Sequence, residues 1–339
     1  MEENRRTNNN KFGLSFLRVL ATFSIVVIHV SGSIVNDYDN ANLFNWNIAN
    51  IFDAFSRYAV PMFFMISGAL LLNKEYSLNV FLNKRVKKIM FPFLFWSIIY
   101  SLLNRYVFNS ESLNIEKNIK DVFYGSEYHL WFIYTLLGVY LITPILNKWV
   151  KSSSKVEIRY FLVIWFITLI ISIPGLNIYF PKINLVYFSG YVGYFVLGYY
   201  LYYWTTSNKW LAIGFILSGG LVTVFGTAFY TVKESAFYYY FYEYLNLNTC
   251  LVSIGVFILF NKLKGVNQSF DTLINKISVQ TFGVFLIHPL VLKLFLLLKI
   301  NVVITNSLIY IPMVTILCFL VSYFSILGLK YLRFGNYIS

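Results

Sequence analysis

Charge is what this sequence has least of. Only 12% of its 339 residues are Asp, Glu, Lys or Arg, against 58% hydrophobic. A soluble chain with so little charge could not cover its apolar surface, so the composition is that of a polytopic membrane protein. Cysteine is nearly absent. Cys250 and Cys318 both lie in or beside apolar runs, which excludes a disulfide framework and a cysteine-based metal site. Acidic residues are scarce beside basic ones, 14 against 27. The excess does not point to nucleic acid, because the basic residues fall between apolar spans. No Walker loop, GxGxxG, nucleophile elbow or HExxH is present, and no internal repeat of the kind secondary transporters carry. No cleavable signal is evident either: the first apolar run contains Arg18 and lacks a small-residue cleavage site.

What is present is an all-α pattern of apolar runs. We count about ten spans, near 12–35, 51–72, 89–108, 129–147, 158–173, 184–204, 210–231, 247–261, 280–299 and 305–330, the fifth and eighth being short. The chain reads as one membrane domain, 1–339, with residues 1–11 a short basic tail. Alternate loops differ in charge: one side holds 18 of the 27 basic residues, the other six. The positive-inside rule then puts both termini in the cytoplasm.

The first span, Leu14 to His29, carries an arginine and a histidine. A charge inside a span costs roughly 3 kcal/mol on insertion scales, so such residues face a protein interior or an aqueous cavity. Arg18 and His29 are eleven positions apart. At 100° per residue they share a face to within about 20°, roughly 16 Å apart along the axis. Ser15 and Thr22 lie on that face too. One side of the helix is thus a polar stripe, with a fixed cation near the cytoplasmic end and a titratable base farther out. The spacing suits an anionic donor held at one membrane face and proton chemistry deeper in. The plainer reading has Arg18 snorkelling to head groups and His29 bonding a neighbouring carbonyl.

Other residues stand out in order. Arg57 sits in the second span at about the depth of His29, with Asp53 four residues earlier as a possible ion-pair partner; anchoring a substrate is the other reading. Pro61 loosens that span. Lys84-Arg85-Val86-Lys87-Lys88 is explained by topology alone, or binds phosphates. Glu127 precedes His129 by two at the outer end of the fourth span, an acid–base candidate. Phe237 to Glu243 and Tyr244 form an aromatic run suited to interfacial anchoring or to stacking on sugar rings. His288 precedes a proline, where a kink is expected, and helix packing is its plainer role. Lys293 is placed to snorkel outward.

These residues carry a resemblance. Arg18 and His29 with ten residues between them, Val60 to Gly68, the Lys84–Lys88 run before Pro92, His129-Leu130-Trp131-Phe132 with Leu141 to Leu146, and Thr281 to Pro289 occur in the order found in the integral-membrane acyltransferase-3 family. The chain resembles its bacterial surface-polysaccharide O-acetyltransferase branch over most of its length. The resemblance implies a ten-helix, multi-pass protein of the bacterial inner (cytoplasmic) membrane. It would move an acyl group, commonly acetyl, from cytoplasmic acyl-CoA (acetyl-CoA) to a hydroxyl of an extracytoplasmic or lipid-linked glycan, with no metal and no nucleic acid. His29 would be catalytic, assisted by Arg57 or His129 at the oxyanion. Arg18, Arg85 and Lys88 would hold the coenzyme A phosphates, with membrane lipids around the domain. Two departures stand out. Lys88 occupies a position where the family often has a second arginine, and lysine does not grip phosphate bidentately. The sequence to Ser339 also leaves no room for the esterase-like domain that some members append, so any relay to such a domain falls to another cell-envelope protein. The rival reading is an exporter of glycan or lipid that performs no acyl chemistry.

Overall fold

The computed structural model describes residues 2–72, 74–108, 115–174, 177–179, 183–300, 306–332 and 335. All regular structure among them is helical: α1 Glu2–Val35, α2 Leu43–Ser56, α3 Ala59–Leu71, α4 Leu78–Phe81, α5 Lys87–Leu102, α6 Ile115–Tyr124, α7 Trp131–Ser152, α8 Lys155–Ile171, α9 Tyr191–Trp204, α10 Lys209–Glu234, α11 Leu247–Phe260, α12 Gln268–Leu297 and α13 Ser307–Leu329. Polar residues start many of them. The side chains of Asn42, Ser77, Asn208, Asn267 and Asn306 each accept from a backbone N–H in the first turn. Ser154 and Glu157 form a reciprocal capping box at α8. Each such cap is worth about 1 kcal/mol.

Eight helical stretches are long and apolar enough to cross a membrane: Phe12–Val35, Leu43–Leu71, Leu78–Phe108, Trp131–Ser152, Lys209–Glu234, Tyr240–Phe260, Gln268–Leu297 and Ser307–Leu329. The fifth and sixth expected spans are helices too, but α8 has 17 residues and α9 only 14. The α9 segment begins late because Gly190 takes φ 84° and the chain before it forms a 3-10 turn at Val186–Phe188. At 1.5 Å per residue, α9 is about 21 Å long. It lies in the protein interior, where the backbones of α3 and α9 touch. A Cβ on Gly68 would strike the Phe195 carbonyl, and one on Gly198 the Met65 backbone. Small residues let these helices approach, the packing role the sequence suggested for Gly68.

Two expected spans are remodelled. The second starts at Leu43 and is broken at Arg57–Tyr58 into α2 and α3, so the first outer loop is shorter than the sequence suggested. Pro61, in the first turn of α3, cannot donate to the Arg57 carbonyl, which explains the break. The third is wound as a π-helix at Leu82–Val86 and again at Leu103–Phe108, on either side of α5. Wide turns of this kind are frequent at functional sites. Helix α1 packs against α2, α3, α11, α12 and α13, so its polar stripe faces protein. The outer sides of α10 and α13 carry exposed Leu221, Phe225, Phe229, Leu320 and Phe324, as a lipid-facing surface requires.

Candidate active site

The structure brings all three histidines together, from α1, α12 and the turn before α7. The His29 ring of α1 stacks on that of His288 in α12, centroids 5.1 Å apart with planes at 24°. The His129 ring, in the turn before α7, meets His288 edge-on at 5.5 Å. Tyr128 packs on His29 at 4.8 Å, and Tyr100 of α5 on His129 at 5.4 Å. His129 is 2% exposed and His288 fully buried. His29 is partly open; it lines a cleft of about 60 Å³ with Ser33, Phe295 and Tyr310. Among the described residues no group of three or more His, Cys, Asp or Glu is arranged to hold a metal ion.

Local chemistry explains how His288 is set. Pro289 has no N–H to give the Phe285 carbonyl, four residues back. His288 Nδ1 lies 2.7 Å from that same oxygen. One turn on, Tyr100 Oη donates to the Leu286 carbonyl (2.7 Å) and accepts from the Leu290 N–H (3.3 Å). A tyrosine from α5 is thus inserted into the opened turn of α12. The expected disruption at the proline is present, and two side chains satisfy the polar groups it frees.

Two ion pairs flank the histidines. Arg57 donates from Nε to Asp53, as its spacing suggested, and Asp53 also accepts from Ser31 Oγ at 3.2 Å, two residues past His29. The guanidinium sits 4.2 Å from the Tyr242 ring centroid, with Tyr239 and Tyr244 at 5.8 and 5.6 Å. Its Nη1 reaches the Tyr244 hydroxyl at 3.4 Å. The aromatic run therefore forms a cage round Arg57, while Glu243 is exposed. On the other side, Glu127 pairs with Lys293 and accepts from Asn104 Nδ2 at 3.2 Å, and Lys293 donates to Asn104 Oδ1 at 2.8 Å. Glu127 is turned to Lys293, and Lys293 is held inward where snorkelling was expected.

At the opposite end of the α1 stripe, Arg18 Nη1 lies 3.4 Å from Ser278 Oγ of α12. Tyr140 of α7 hydrogen-bonds Ser67, and the charges of Arg85 and Arg18 both act on its hydroxyl. Arg85, in the first π-helical turn, lines a cavity of about 380 Å³ with Tyr76, Phe81 and Lys84. A larger one, about 700 Å³, adjoins it through Tyr76 and carries Lys74, Lys148 and Lys151. Lys88 stands apart. It is exposed at the start of α5, and its charge bears on Lys330 beyond α13, whose amine is lowered from its ordinary value by burial first and Lys88 second.

One helix thus links a basic end to a histidine cluster across a multi-pass bundle. The family model Acyl_transf_3, described as an acyltransferase domain, matches residues 11–327. The chain belongs to the acyltransferase-3 family. It is a membrane acyltransferase. No curated protein and no solved structure matches it. In this acyltransferase the expected site residues divide by place. His29 and His129 come together through His288, with Arg57 linked to α1 through Asp53 and Ser31; the charges of Arg18 and Arg85 both act on Tyr140; Lys88 joins neither group. Sequence reasoning left out Tyr100 and Tyr140, read the aromatics beside His129 as an interfacial belt, and favoured a packing role for His288. The His-Pro pair was the available signal, since a proline frees a carbonyl one turn back and the preceding side chain can reach it.

Proposed function

We propose that this acyltransferase moves an acyl group, acetyl by the resemblance, from cytoplasmic coenzyme A thioester to a hydroxyl of an extracytoplasmic or lipid-linked glycan. The carrying observation is the pairing on α1 of Arg18, beside Arg85 and Tyr140, with His29 in the histidine cluster roughly 16 Å away. Arg18 and Arg85 hold phosphate at the inner face, where guanidinium forks suit it. Lys88 lies outside that pair and adds general positive charge. The pantetheine arm extends outward along the α1 stripe, within a bilayer core about 30 Å thick. At the outer end His29 meets the thioester, either taking the acceptor's proton or carrying the acyl group itself. His129, buried beside His288, serves the oxyanion better than Arg57, whose guanidinium is engaged by Asp53 and the tyrosines. Both termini lie in the cytoplasm of a bacterial cell, and the domain in its inner membrane.

The test uses membranes holding the intact chain or His29→Ala, labelled acetyl coenzyme A and the host's surface glycan. Alkali-labile label that enters the glycan only with the intact chain supports the reading. Label with both moves the catalytic role from His29. No label with either, in a fraction containing the native acceptor, favours an exporter.

A further inference from the structure

His288 has the properties of a prepared base that the reaction outlined above does not yet use. A carbonyl oxygen only accepts, so the 2.7 Å contact to Phe285 places the proton of the neutral ring on Nδ1. The lone pair is then on Nε2. That nitrogen is buried and meets no hydrogen-bond partner among the described residues. Leaving a buried acceptor unpaired costs about 1–3 kcal/mol, so the site favours a ligand that brings a hydroxyl to it. The orientation is braced, because Tyr100 is inserted into the same turn of α12. A base whose second nitrogen is fixed by a third group is the arrangement found beside activated nucleophiles. His29 carries no such brace and is open to a cleft.

We propose that His288 is the general base for the acceptor hydroxyl and that His29 carries the acyl group. The proposal rests on the acyl-transfer reading above. In the first half, one ring nitrogen of His29 attacks the thioester carbonyl carbon and the carbon–sulfur bond breaks. The proton on the other His29 nitrogen goes to the departing thiolate, leaving coenzyme A thiol and a neutral acyl-imidazole. In the second half, the acceptor oxygen attacks the acyl carbon while its proton moves to His288 Nε2. The carbon–nitrogen bond breaks with its electron pair going to His29, and the proton returns from His288 to His29. Both rings end neutral, and the products are the ester and free coenzyme A. The two rings are neighbours, with centroids 5.1 Å apart, so His288 lies within reach of an acyl group carried on His29.

The experiment compares two activities of the full chain in proteoliposomes. One is exchange of labelled coenzyme A into acetyl coenzyme A with no acceptor present; the other is transfer of acetyl to the glycan. His288→Asn puts an amide nitrogen close to the place of Nδ1, so it keeps the Phe285 bond and removes Nε2. It should exchange within about threefold of the intact chain and transfer at least ~100-fold more slowly. His29→Ala should lose both. His288→Gln places a non-basic amide near Nε2 and should show the same split, which gives a second reading if the Asn variant melts early. The inference is overturned if either folded variant transfers within threefold of the intact chain, or if exchange and transfer fall together. Transfer without exchange by the intact chain also overturns it, while leaving the acyl-transfer reading standing. An intact chain that does neither overturns that reading itself, and this inference with it.

Discussion

The two ends of the α1 stripe are built on opposite principles. Around His29, which itself opens to a cleft, the neighbouring groups are buried and locked. His129 and His288 have almost no exposed surface, Asp53 pairs with Arg57, Glu127 pairs with Lys293, and Tyr100 is threaded into α12. At the Arg18 end the groups are half-buried or exposed and border open cavities. Arg85 and Lys84 line a cavity of about 380 Å³ next to one of about 700 Å³, and the backbone there is wound as a π-helix. The lesson is that one end is suited to chemistry and the other to binding. Proton transfer needs fixed geometry and few waters. A large, charged donor that must enter and leave needs accessible cations.

The comparison breaks most sharply at His29. His29→Ala should lower acetyl transfer by about 10²–10⁴-fold without reducing retention of coenzyme A, if the proposed phosphate site at the Arg18 end is separate from it. A parallel loss of coenzyme A binding would show that the two ends are not separate. Next in size is Asp53→Ala, which strands Arg57 in the interior. Breaking a buried pair costs about 3–5 kcal/mol, and the readout is the melting temperature of the purified protein. An unchanged melting temperature would mean that the tyrosine cage alone holds the guanidinium. Smaller again is Tyr100→Phe, which keeps the ring and removes the hydroxyl between Leu286 and Leu290. An unsatisfied carbonyl and N–H at that turn should cost about 1–3 kcal/mol, and transfer should fall with it because the His288 turn loses its brace.

The sequence was most legible where spacing along one helix decides the matter. Arg18 and His29 share a face by arithmetic alone, and Asp53 and Arg57 pair across one turn as their separation requires. Span existence was legible from apolar runs, yet length was not. The late start of α9 depends on backbone turns before Gly190 and on close packing against α3, neither of which leaves a hydropathy signal. The histidine cluster was only half legible. Each ring was visible as an odd residue in a span, but that α1, α7 and α12 bring them to one place depends on contacts far apart in the chain. Lys293 misled for the same reason. A lysine near the end of a span ordinarily snorkels, and its partner Glu127 is 166 residues away. The aromatic run near residue 240 read as interfacial because composition says nothing about the arginine it encloses.

The smallest predicted effect sharpens the comparison within the inner end itself. Arg85 and Lys88 are three residues apart, and by sequence they form one phosphate-binding pair. In the structure the charges of Arg85 and Arg18 both act on Tyr140, while Lys88 is exposed and its charge acts on Lys330. Arg85→Ala should therefore raise the KM for acetyl coenzyme A about tenfold, the loss of roughly one charge-assisted contact. Arg85→Lys should recover little of it, since an ammonium lacks the planar fork. Lys88→Ala removes a charge that lies in water beside another of the same sign, and the KM should change less than twofold. That small change should also shrink as salt is added, because an exposed charge acts through a screened field. An equal rise for both variants would restore the paired reading and mean that the donor phosphates extend across the start of α5. A difference of about tenfold between them would place the phosphates on the α1 side of the basic loop, in line with the stripe that leads to His29.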